Sequence, residues 1–185
     1  MNITNIDDIR KLASGDEGGR TEYKLITGQL ERGMETLCAF LNGEGGTVLF
    51  GVADNGKITG QEVSDKTKRE IAEAIRLFEP FATITVSYAN IPDTDKQVIA
   101  LYAEEQRYMR PFTYKGRAYQ RIESVTSVMP QDKYNHLLMQ RGGKYSWEAI
   151  PNPDLQISDL DENVIIGAVR AGINCGRLPE TTIRE

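Results

Sequence analysis

The apolar residues Leu30, Met34, Leu37, Cys38 and Leu41 follow the i, i+4, i+7, i+8, i+11 pattern that lines one face of a helix, here over about residues 29–42. "NGEGG" ends that helix, because glycine accepts the left-handed geometry of a helix C-terminus. "TVLFGV" is then apolar in both directions, the pattern of a strand covered on both faces. "ADNGKITG" supplies a turn, with "KIT" opening a return strand. Upstream, Ile3, Ile6, Ile9 and Leu12 predict a short helix over residues 2–13, which "SGDEGG" breaks. "TEYKLI" predicts a strand with Glu22 and Lys24 on one face and Tyr23 and Leu25 on the other.

Downstream, Ile71, Ala74, Ile75 and Phe78 predict a second amphipathic helix over about 64–78, with Ser64 as its N-cap. "TITVSYANI" and "QVIALYAEE" alternate as two antiparallel strands, and "RPFTYKGRAYQRI" reads as a hairpin turning at Lys115–Gly116. "PQDKYNHLLMQR" is a helix with Pro130 at its start. From Gly142 sustained periodicity stops, and "GGKYSWEAIPNPDLQISDLD" reads as a linker. A last helix from about residue 159 carries Leu160, Val164, Ala168 and Val169 on one side and ends at Gly176, after which "LPETTIRE" looks like another helix start. The pattern therefore predicts one domain over residues 1–141, and a linker and connector helix over 142–185 leading into a further region.

Composition narrows the function classes. The chain has 185 residues, 39% hydrophobic and 26% charged, with a formal net charge of −5. A uniformly acidic surface does not attract nucleic acid, so any such binding needs a local basic face. Cys38 and Cys175 lie far apart, which argues against a disulfide framework or a cysteine-rich zinc site, and Cys38 suits a small buried thiol. His136 is the lone histidine, which leaves little room for histidine-based metal or triad chemistry. No signal-like or membrane-spanning run is present, and the expected setting is a reducing cytoplasm without membrane contact.

Two constellations could carry chemistry. Glu17, Glu22 and Asp54 flank the two predicted strands at residues 21–26 and 47–52. If those strands are neighbours, the carboxylates could gather at one sheet edge as oxygen ligands for a hard divalent cation. The same residues have an ordinary reading: Glu22 pairs with Lys24 or Arg20, and Asp54 braces a turn. The second constellation is "QRYMRPFTYKGRAYQR", with Arg107, Arg110, Lys115, Arg117 and Arg121 interleaved with Tyr108, Phe112, Tyr114 and Tyr119. Cations suit phosphates and aromatic faces suit unstacked bases. Its ordinary reading is a solvated hairpin whose aromatics turn into the core under arginine stems. The glycines around residues 43–56 match neither phosphate-binding fingerprint, since here they follow a helix and enter a strand.

"TEYK", then "LCAFLNGEGGTVLFGVADNGKITG", then "RPFTYKGRAYQRIESVT" resemble, in order and spacing, the three successive signatures of the AlbA_2 or Schlafen-type domain, over about residues 10–141. Leu41 stands where the family often has alanine. The resemblance implies an α/β (α+β) fold, a mixed and mostly antiparallel sheet flanked by helices, heading a longer bacterial regulator whose later region resembles an ATPase with a winged helix. ATP binding would belong to that later region.

Vertebrate relatives cut RNA with two glutamates and an aspartate as metal ligands, and Glu17, Glu22 and Asp54 fall on those positions. Those relatives also pair two such lobes, which a single copy could imitate only as a homodimer. The leading expectation is a DNA- or RNA-binding domain of a transcriptional regulator, needing no cofactor, with Arg107, Arg110, Lys115, Arg117, Arg121, Tyr114 and Tyr119 on the nucleic acid and Lys24 and Asn42 near the same surface. The alternatives are a Mg2+- or Mn2+-dependent ribonuclease, with Glu17, Glu22 and Asp54 as metal ligands and Lys24 on the phosphate, and a dimerisation or sensor module.

Overall fold

The computed structural model describes residues 5–15, 18–144, 156 and 159–179. Ile3, Glu17, most of the expected linker and most of "LPETTIRE" lie outside those residues. The chain divides into two units, Met1–Ser146 and Trp147–Glu185.

In the first unit, α1 (Ile6–Ala13) starts at a reciprocal cap between Asn5 and Asp8. The strand β1 (Thr21–Lys24) follows, and a single 3-10 turn, Thr27–Gln29, leads into α2 (Leu30–Leu41). Next come β2 (Gly46–Phe50) and α3 (Asp65–Ile75), then the short β3 (Phe78–Glu79). The long strands β4 (Ile84–Asn90) and β5 (Gln97–Ala103) are followed by β6 (Thr113–Tyr114), β7 (Tyr119–Ile122), β8 (Val125–Val128) and α4 (Gln131–Lys144).

The main sheet has the order β1-β2-β5-β4. Its β1–β2 pair is parallel and its other two pairs are antiparallel. Alternation along the strands splits the core into two layers. Val48, Phe50, Ile99 and Leu101 pack with Met34, Leu37 and Leu41 of α2, while Tyr23, Leu49, Val98 and Ala100 pack with Ile9 and Ala13 of α1. The "GEGG" after α2 is needed where the chain re-enters the sheet. Gly45 has φ +77°, and a Cβ on Gly46 would stand 2.7 Å from the Phe40 ring and 2.8 Å from the Arg20 carbonyl oxygen.

Four local expectations are corrected. Phe78 leaves the predicted helix: α3 stops at Ile75, and Phe78 pairs with Tyr114 in a two-residue ladder, their rings 5.1 Å apart. The "KIT" return strand is a single bridge between Val52 and Ile58. The hairpin at Lys115–Gly116 does turn there, with φ 50° and 75° and reciprocal bonds between Tyr114 and Arg117. It does not extend, because β6 pairs with β3 and β7 pairs with β8. Helix α4 also runs through Gly142 and Gly143 to Lys144, three residues past the predicted end of the domain.

In the second unit, α5 (Glu162–Asn174) begins at Asp161, whose carboxylate accepts from the Asn163 and Val164 amides. It ends before Gly176, at φ 68°. Val164 and Ile165 on this helix are exposed.

Candidate nucleic-acid interface

Alternation in β1 points Glu22 and Lys24 toward the α2 side of the sheet. There the Glu22 carboxylate, 11% exposed, is shared between two cations. Oε1 pairs with Lys24, and Oε2 pairs with Arg121 of β7 at 2.7 Å. Arg121 is only 4% exposed and all three of its guanidinium nitrogens are engaged. It donates to the carbonyls of Gly18 (2.9 Å) and Thr21 (3.4 Å) and to Thr126 Oγ1 (3.0 Å), and lies 5.2 Å from the centre of the Phe40 ring. Arg121 thus clamps the β7–β8 ribbon onto β1.

The remaining expected contacts divide by exposure. Tyr114 and Tyr119 are buried, donating their hydroxyls to Glu31 (3.3 Å) and Glu35 (2.9 Å), one turn apart on α2. Neither ring is free to stack on a base. Arg110 donates to the Leu41 carbonyl (3.1 Å) and, with Arg107, to Glu105. The Arg107 hydrogen bond holds the Glu105 carboxyl below the usual carboxylate range. Lys115 pairs with Glu31 at 2.5 Å. Arg117 is exposed, with no ion pair among the described residues. Asn42 is buried, with its carboxamide bonded inside the fold, and it lines one of the clefts beside the ribbon.

Other cations surround the ribbon instead. One cleft, about 240 Å3, is lined by Arg20, Asn42, Glu44, Gln120, Arg121 and Lys133, among others. Lys133, in the first turn of α4, is held there by the carboxamide oxygen of the buried Gln120 at 2.9 Å. The cleft on the ribbon's other flank, about 360 Å3, is lined by Glu22, Lys24, Arg32, Glu35, Arg121 and Thr126, among others. Together the clefts place five cations against three carboxylates on a chain of net charge −5. At the ribbon tip, Ile122 and Val125 are 61% and 64% exposed. Arg20, Arg32 and Lys133 were not read as a binding surface from sequence because they lie in a turn, α2 and α4 and form no run.

A family model described as Schlafen, AlbA_2 matches residues 17–130. The chain belongs to this family. Family membership points to nucleic-acid binding. The fold is also similar to the crystal structure of the DIP2311 protein from Corynebacterium diphtheriae, at 14% identity and a TM-score of 0.49. That match covers 95% of this chain and 40% of the DIP2311 chain. No curated protein matches. No helix among the described residues is long and apolar enough to cross a membrane.

The divalent ion of Schlafen nucleases can be tested against this AlbA_2 domain for the described residues. Glu17 lies outside them. Glu22 has both oxygens committed to cations. Asp54 is exposed and lines a separate groove with Leu25, Ile26, Gln29 and Ala53. The side chain that braces its turn is Asn55, which accepts from the Lys57 amide at 3.1 Å. Among the described residues no three acidic, histidine or cysteine groups gather as a metal site. The described carboxylates therefore do not fit a shared ion.

Burial under the AlbA_2 ribbon sets an alkaline limit to stability. It pushes the Cys38 thiol from 9.0 to about 12, and burial with the Glu35 hydrogen bond pushes the Tyr119 hydroxyl from 10.0 to about 12. Tyr114 is raised by burial and then by Glu31. Each folded pKa lies above its unfolded value, so the stabilisation is intact below the unfolded pKa and is lost as pH rises toward the folded one. Urea midpoints should hold steady to about pH 9 and fall from there toward about pH 12. Cys38→Ala should move the onset up, toward the 10.0 of the tyrosines. A midpoint unchanged through that window would contradict this.

Proposed function

We propose that the first unit is a DNA-binding domain of a transcriptional regulator, and that it engages the phosphate backbone through the two clefts flanking β7–β8. The observation that carries this is the local excess of cations beside the ribbon in an otherwise acidic chain. A local excess of one sign of charge in a cleft with low-dielectric walls raises the local concentration of the opposite charge.

The ribbon favours duplex DNA over duplex RNA. A two-stranded ribbon fits the major groove of B-DNA, whereas the A-form groove of RNA is too narrow and deep for side chains to read. Its exposed Ile122 and Val125 offer apolar contact to base edges, while Arg20, Arg32 and Lys133 stand on the flanks to meet phosphates.

Binding of fluorescent DNA and RNA duplexes across a salt series tests the reading. About three phosphate contacts, from Arg20, Arg32 and Lys133, give a slope of log K against log salt of about −3, with DNA bound more tightly than RNA of the same sequence. A slope near zero, or RNA bound as tightly as DNA, would count against it.

A further inference from the structure

The two edges of the main sheet are treated differently. The β1 edge is four residues long and is closed by Arg121, which bonds the Gly18 and Thr21 carbonyls. The β4 edge is seven residues long, "ITVSYAN", and carries no charged residue. Beyond its ladder to β5, β4 makes no backbone hydrogen bond among the described residues. Phe81, 75% exposed, sits three residues ahead of it. Proteins protect such edges with lysine, proline, bulges or cover, because unpaired amides and carbonyls invite another strand. Within β4 there is no lysine, proline or bulge, and among the described residues no backbone group pairs with its outer side.

We infer that β4 is a homodimer interface, pairing antiparallel with β4 of a second copy across a twofold axis at Ser87. The strand is complementary to itself in this register. Ser87 meets Ser87, Val86 meets Tyr88, Thr85 meets Ala89 and Ile84 meets Asn90, so all seven residues pair. Facing residues in an antiparallel pair share a sheet face. Ile84, Val86 and Tyr88 are half-buried against the α2 side of the core, and the pairing extends that apolar layer across the axis with aromatic–β-branched pairs. Because the strand itself is neutral, the twofold brings none of its own residues into like-charge contact, as an isologous interface requires; Lys68 of α3 lies over the Tyr88 ring at 5.6 Å. The result is a continuous eight-stranded sheet. This inference is independent of the nucleic-acid reading.

Sedimentation of the whole chain tests it by charge swap. Wild type should be a reversible dimer. Ser87→Lys and Ser87→Glu each place like charges on the axis and should raise the dimer dissociation constant at least about tenfold. Mixing the two variants in equal amounts should restore the dimer as a heterodimer. A wild type that stays monomeric up to its solubility limit, or a dimer unaffected by either variant, overturns the proposal. Hydrogen exchange on wild type needs no variant. Protection of β4 amides should rise with protein concentration, and protection already complete in a monomer would assign the edge to another segment of the same chain.

Discussion

Arg121→Ala should lower the unfolding free energy by about 3–5 kcal/mol, the range for removing one partner of a buried ion pair. The guanidinium is 4% exposed and its Glu22 partner 11%, so water replaces the lost interaction only poorly. The substitution also removes donors from the Gly18 and Thr21 carbonyls and leaves a gap over Phe40. Arg121→Lys keeps the charge but not the planar fork that reaches Glu22, Thr126 and two carbonyls together, so it should recover only part of the loss. Arg107→Ala, at an exposed pair, should leave stability nearly unchanged. Urea denaturation of the three variants checks the ranking. An Arg121→Ala loss under about 1 kcal/mol would show that the ribbon docks without its clamp.

Asn42→Ala should cost about 3 kcal/mol, and Asn42→Asp at least as much. The buried carboxamide accepts from the Phe112 amide (2.7 Å) and donates to the Phe112 (2.9 Å) and Tyr119 (3.0 Å) carbonyls. It ties the end of α2 to the segments that lead into β6 and β7. Removing it strands buried backbone groups, at about 1–3 kcal/mol for each one left unpaired, partly relieved because Cys38 also donates to the Phe112 carbonyl. Aspartate has nearly the same size but turns a carboxylate oxygen toward two carbonyls, so it separates hydrogen bonding from volume. If Asn42→Asp were near wild-type stability, the donor role would be wrong. The asparagine of "AFLNGEGG" is on this account a structural clamp.

What could be read from sequence follows how local its cause is. The α2 face and the doubly covered β2 come from spacing within one element, and both stand as expected. The stretch after residue 107 was only half legible. Phe112, Tyr114 and Tyr119 do turn into the core while Tyr108 stays exposed, but its strands pair with β3 and β8, and no pattern inside the stretch records those partners. Glu22 shows the same division. Lys24, two residues away, was a visible partner, whereas Arg121 reaches Glu22 only through the fold. The basic clefts were hidden for a related reason: the run of cations at 107–117 is largely neutralised by Glu31 and Glu105, while scattered Arg20, Arg32 and Lys133 converge.

The central claim, that the ribbon clefts rather than the cation-rich loop hold the nucleic acid, is tested most directly by two triple variants on one duplex DNA at fixed low salt. Arg20→Gln/Arg32→Gln/Lys133→Gln should weaken binding at least about a hundredfold and flatten the salt slope by about 3. Arg107→Gln/Lys115→Gln/Arg117→Gln should weaken it by less than about tenfold, consistent with one free cation. The opposite ranking, or equal losses from both, would contradict the account.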